Sequence, residues 1–197
     1  MIYVQFVQQV ISATLAIDEK TTRIVDAAQA LFLKHGLRGT SMEALAREAR
    51  IAKPTLYAYF PDKDAVFKAL VERLIEEWRQ AFLDGLRSDG DVVARIGAAL
   101  TNKNKAALRL IGASPHAEEL YGEHDRSAGP QFAVFESEIA AAVEHELMLA
   151  GAARPRLIAQ VLLASAMGLM RSARSPAELG PAIRLLTERL VGPEINR

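Results

Sequence analysis

Between residues 53 and 63 the chain sets Lys53, Thr55, Tyr57, Tyr59 and Lys63: two ammonium groups, a hydroxyl and two phenols, interleaved with Leu56 and Phe60 one helical turn apart. Such groups are donors and cations, suited to recognition rather than bond making. Ammonium and hydroxyl groups meet phosphate oxygens, and hydroxyls and phenols meet phosphates and base edges. A fully buried helix has no use for the polar set. A fully solvated one has no use for Leu56 and Phe60, so the stretch faces a core on one side and a partner on the other.

The elements that position these groups follow from periodicity. From Thr21, residues Ile24, Ala27, Ala28, Leu31 and Phe32 repeat at helical spacing, and His35 with Gly36 ends the first helix. After the turn "GLRG", Thr40 stands three residues before Glu43, a capping box that opens "SMEALAREA" with Leu45, Ala46 and Ala49 facing inward. "RIA" makes a tight connection. Pro54 takes the first helical place, where its missing N–H and preset φ do no harm. Asp62 caps a long fourth helix, with Val66, Phe67, Leu70, Leu74, Ile75, Trp78 and Phe82 on its apolar side, until Gly85. Two short helices joined by a turn form the helix-turn-helix plan. Ala46 and Leu56 pack the pair, and the start of the third helix enters a DNA major groove.

The stretch "TRIVDAAQALFLKHGLRGTSMEALAREARIAKPTLYAYFPDKDAVFKAL", about a quarter of the chain, resembles the DNA-binding domain of TetR/AcrR family transcriptional regulators. The resemblance implies an all-helical homodimer, with helices one to three on double-stranded operator DNA and the rest forming a ligand-binding and dimerisation domain. It implies that Thr40 and Ser41 meet a phosphate, that Lys53, Pro54, Thr55 and Tyr57 line the groove, and that Tyr59 and Lys63 hold further phosphates. For each, a solvated face residue is the competing reading. One departure stands out: Arg50 occupies the turn position where the family has Gly. If that residue is left-handed, arginine costs about 1 kcal/mol relative to glycine, unless its guanidinium gains a phosphate contact.

Composition agrees with such a protein. The chain has 197 residues, half of them hydrophobic, with no cysteine, which excludes disulfides, thiol catalysis and zinc ribbons. Net charge is zero, yet residues 20–63 carry eight bases against four acids. The basic excess sits where the motif sits. "MIYVQFVQQVISATLAI" lacks the basic flank of a signal peptide and is too short and too rich in glutamine for a membrane span; it is either an extra helix on the body or the product of a start codon placed too early. The expected organisation is an N-terminal extension (1–19), a helix-turn-helix domain (20–66) and a helical ligand-binding and dimerisation domain (67–197). No membrane partner and a cytoplasmic location go with it.

In the second part, helices are expected at about 91–102, 104–112, from 115, 130–150, 155–173 and 176–191. "LRLIGASPHAEELYGEHDRSAGP" is similar to the AefR-like C-terminal domain of the same family. A small-molecule effector site is expected among Trp78, Phe82, Leu108, Ile111, Tyr121, Phe132, Phe135 and Met167, with ordinary core packing as the alternative for each. Arg109 either receives an anionic ligand or snorkels to water. The last two helices, rich in Ala, Leu and Met, with Gly168 allowing close approach, form the dimer interface by the same resemblance. No cofactor is implied. Two other functions compete: a metal-binding or enzymatic protein using His116, Glu119, Glu123, His124 and His145, and a helical adaptor without DNA contact. Against the first, neither HExxH nor G-x-S-x-G is present.

Overall fold

The computed structural model describes residues 19–112, 114–116 and 129–195. Among them the regular elements are eight α-helices: α1 (Glu19–His35), α2 (Met42–Glu48), α3 (Lys53–Tyr59), α4 (Lys63–Leu86), α5 (Val92–Ile111), α6 (Gly129–Leu149), α7 (Pro155–Ser172) and α8 (Pro176–Ile195). The all-α expectation holds. Residues 1–18, Glu119, Tyr121, Glu123, His124 and the side chain of Ile111 lie outside the described residues, as does most of the AefR-like stretch. No helix among the described residues is long and apolar enough to cross a membrane.

The chain divides into two compact units, with the boundary inside α4 after Val71, a little beyond the expected 66/67 divide. In the first unit, α1 buries Ile24, Val25, Ala27, Ala28 and Phe32. Phe32 meets Phe67 of α4 edge to face, with ring centroids 5.9 Å apart. The helix stops at Gly36, whose φ of 74° is a left-handed closure that glycine adopts without a Cβ penalty.

Helix α2 opens one residue later than the capping box suggested. Its cap is Ser41, whose Oγ accepts from the Ala44 N–H at 3.2 Å. Thr40 is turned inward, 3% exposed, and its hydroxyl donates to the Gly36 carbonyl at 2.8 Å. The β-branched side chain closes the turn behind α1, and the smaller serine is left for the cap. In α3, Ala52 is the cap, so Lys53 takes the first helical place and Pro54 the second. Asp62 caps α4 as expected, its Oδ1 accepting from the Ala65 N–H at 2.8 Å.

The second unit corrects the sequence reading of its first helices. α5 is continuous from Val92 to Ile111, where a break near residue 103 was expected. The polar run "TNKNK" suggested a stop, but it holds neither glycine nor proline, and its Lys103 and Asn104 are buried. α4 likewise runs through Gly85: a Cβ there would stand 2.3 Å from the Ala99 Cα, so the glycine is a crossing point of α4 and α5 and not a stop. Gly97 similarly faces Thr187 of α8. α8 continues past the expected 191 to Ile195, with Pro193 in its last turn. Ile96, Leu100, Leu147, Leu162, Leu179 and Ile183 fill the core between the helices.

Candidate nucleic-acid interface

Helix α3 has two faces. Leu56 is fully buried and Phe60 nearly so, while Tyr57 is 44% and Tyr59 38% exposed, with Lys53 and Pro54 also exposed and Thr55 half-buried. Large aromatic rings left in water beside a lysine are the feature that packing does not explain. The Lys53 ammonium stands 5.8 Å from the centre of the Tyr57 ring, one turn along the helix, within cation–π range. It also forms a hydrogen-bonded ion pair with Glu43 of α2. That hydrogen bond holds the Glu43 carboxyl below its ordinary value and the Lys53 ammonium above its own. Sequence reasoning read Glu43 only as part of a cap.

The turn between α2 and α3 is built on Arg50, the one non-glycine residue with positive φ among those described, at 55°. The Ile51 N–H reaches the Ala46 carbonyl at 3.0 Å and the Arg50 N–H reaches the Arg47 carbonyl at 3.1 Å, the double closure of a Schellman motif. α6 ends on the same pair of bonds, Ala152 to Leu147 and Gly151 to Met148, both 3.0 Å, with Gly151 at φ 77°. One motif uses glycine and the other arginine. The left-handed condition raised from the sequence is therefore met, and Arg50, exposed, carries a backbone cost of about 1 kcal/mol.

Arg23 of α1 holds this turn from behind. Its Nη2 donates to the carbonyls of Ala49 at 2.6 Å and Arg50 at 2.9 Å. The sequence reading missed it, since a basic residue beside the apolar stripe looks like any solvated one. Lys63 is half-buried and donates to the Thr40 carbonyl at 2.9 Å, tying the start of α4 to the start of α2. Ser41 is exposed at the same end. Thr40 is a correction: its hydroxyl points into the first unit and is engaged there, so the expected phosphate contact is not available to that side chain.

In the second unit, Trp78, Phe82 and Phe135 are buried, and Leu108, Phe132 and Met167 are half-buried. The Trp78 and Phe132 rings lie 5.8 Å apart. Arg109 is exposed. Of the metal-binding set, His116 and His145 are described, and among the described residues no three His, Cys, Asp or Glu stand together as a metal cage.

A three-helix unit whose last helix is short, proline-started and aromatic on its water side defines a helix-turn-helix protein. Residues 24–70 match the family model of bacterial regulatory proteins, tetR family. That stretch of the chain carries a tetR-type DNA-binding domain, and the chain spans well under two thirds of the length of the curated relatives it matches. It is similar to the HTH-type transcriptional regulator RutR of Escherichia coli, 33% identical over 81 residues, which span 41% of this chain and 38% of RutR. Its fold is that of a TetR-family transcriptional regulator from Streptomyces coelicolor, with a TM-score of 0.73 at 16% identity, covering 93% of this chain and 94% of the other. It is also similar to AibR, solved in complex with isovaleryl coenzyme A and operator DNA, with a TM-score of 0.60 at 17% identity, covering 88% of this chain and 98% of that one. At these identities the structural likenesses show the shared fold.

Proposed function

We propose that this chain is a cytoplasmic transcriptional repressor that binds a palindromic operator as a homodimer and is released by a small-molecule effector. The observation that carries the reading is the outward face of α3, where Lys53, Tyr57 and Tyr59 are exposed beside a buried Leu56. A surface with no partner gains nothing from two exposed phenols at this spacing. Lys53, Thr55 and Tyr57 read the groove, Pro54 sets the approach, and Ser41, Arg50, Tyr59 and Lys63 hold phosphates. Two such helices, spaced by one turn of DNA, read two half-sites. An effector bound among Trp78, Phe82, Leu108, Phe132, Phe135 and Met167 favours a state in which that spacing is lost. AibR, solved with both isovaleryl coenzyme A and operator DNA, supports pairing the two activities in one fold of this kind.

Fluorescence anisotropy with the promoter fragment beside the chain's own gene tests the reading. Sequence-specific binding that weakens steeply with salt is expected, and salt-independent or absent binding rejects it. Thr55→Ala and Tyr57→Ala lower the preference for the operator over other DNA. Lys63→Ala weakens every sequence alike.

A further inference from the structure

Lys103 lies in the middle of α5 and is 9% exposed. An ammonium withdrawn from water to this degree is costly unless an anion or a set of acceptors receives it. Among the described residues no carboxylate stands within ion-pair distance of it. Its neighbour is the face of the Phe135 ring on α6, 5.8 Å from Nζ to the ring centre. The other cation over that ring is already matched. Arg79 of α4 stands 5.6 Å over the same ring, but it is paired with Glu76 on its own helix and with Glu138 of α6 at 2.9 Å. Glu136, beside Phe135, is exposed and acts on Lys103 only through space. Burial accordingly pulls the Lys103 ammonium below the ordinary lysine value, with Glu136 opposing it only in part.

The next residue repeats the pattern in the opposite sense. Asn104 is fully buried; its Nδ2 makes one long bond to the Ala166 carbonyl at 3.4 Å, and its Oδ1 has no partner. Thus α5 carries, at consecutive positions facing α6 and α7, a cation without an anion and an acceptor without a donor. A helix selected only for packing would place leucine or methionine at both.

We propose that Lys103 receives the acid group of the effector, and that the effector is a monocarboxylate with an apolar body that lies against Phe135, Phe132 and Trp78. The inference rests on reading the second unit as the effector domain. A single ammonium matches one negative charge. A phosphate dianion calls for a second cation, and Arg79 is committed to two carboxylates. The aromatic rings supply the dry surface that an acyl or aryl tail needs.

The test compares the full chain with Lys103→Met, which keeps the volume and removes the charge, and with Lys103→Arg, which keeps the charge. Each is melted with sodium octanoate, with 1-octanol and with inorganic phosphate. Octanoate is expected to raise the melting temperature of the wild type and of Lys103→Arg, and to bind Lys103→Met at least tenfold more weakly. Octanol should shift all three slightly and equally. Ligand-free Lys103→Met should melt at or above the wild type, which shows that it folds. An octanoate response kept in Lys103→Met overturns the inference. So does a phosphate response equal to that of octanoate. Octanol acting as strongly as octanoate in all three overturns the charge assignment while leaving the effector domain standing. No response to any compound, with salt-dependent operator binding intact, overturns the inference and leaves the wider effector reading and DNA binding standing.

Discussion

Arg50 and Gly151 close two helices with the same pair of hydrogen bonds, so the difference between them isolates what a side chain costs in a left-handed turn. Arg50→Gly is expected to stabilise the protein by about 1 kcal/mol, a rise of about 2–4 °C in melting temperature for a chain of this size. If the guanidinium holds a phosphate, the same variant binds operator more weakly, and the log–log salt slope of the proposed dimer shrinks by about 1.8, roughly 0.9 for each protomer. Tighter binding by Arg50→Gly would remove the contact. Glu43 offers a second residue-scale prediction, because its carboxylate occupies the Lys53 ammonium that a phosphate would take. Glu43→Gln should strengthen binding to all DNA and steepen the salt dependence, measured by anisotropy across a salt series. The pair's pH window follows from its two shifts. With the Glu43 value depressed, the attraction is lost only as pH falls through that lowered value. With the Lys53 value raised, it is lost only as pH rises beyond the ordinary lysine range. Neutral solution lies inside the window, so between pH 6 and 8 this pair adds no pH dependence to operator binding.

The helices of the first unit were legible in the sequence because each has a local cause: an apolar stripe in α1, Pro54 near the start of α3, Asp62 at the head of α4. What the sequence could not show was which polar residue turns inward. Thr40 and Ser41 offer the same hydroxyl, and only the packing behind Gly36 decides that threonine is buried and serine caps. The same blindness split α5 in two, since Lys103 and Asn104 look solvated until α6 and α7 are placed around them. Gly85 was read as a stop when it is a crossing. Two variants test elements of this kind. Gly85→Ala sets a methyl against the α5 backbone and should destabilise the second unit by about 1–3 kcal/mol, read by chemical denaturation. Arg23→Ala leaves the carbonyls of Ala49 and Arg50 without their charged donor. It should cost about 1–2 kcal/mol and weaken operator binding, through the turn that Arg23 supports.

Charge is unevenly spread along the sequence, which is what the proposed binding of a polyanion asks of a neutral chain. The excess of bases lies in residues 20–63, so net charge says little about DNA affinity. Large apolar side chains left in water include Leu157 at 50% and Val161 at 41% on α7 and Leu185 at 56% on α8, besides Val134, Met148 and Leu149 on α6. On α7 the stripe continues at turn spacing through exposed Ala164 and Gly168, where a Cβ would meet nothing within 4 Å. Such a stripe favours a second helix at short range, which is what the proposed dimer supplies. Replacing Val161 and Leu185 together by arginine touches no buried residue, so the fold should keep its melting transition. The mass in solution should fall from twice 21.5 kDa to 21.5 kDa by light scattering. Binding to a two-half-site operator should then drop to the affinity of a single half-site, with a salt slope about half as steep. A double variant that stays dimeric and keeps full operator affinity would place the dimer contact on another face of the chain.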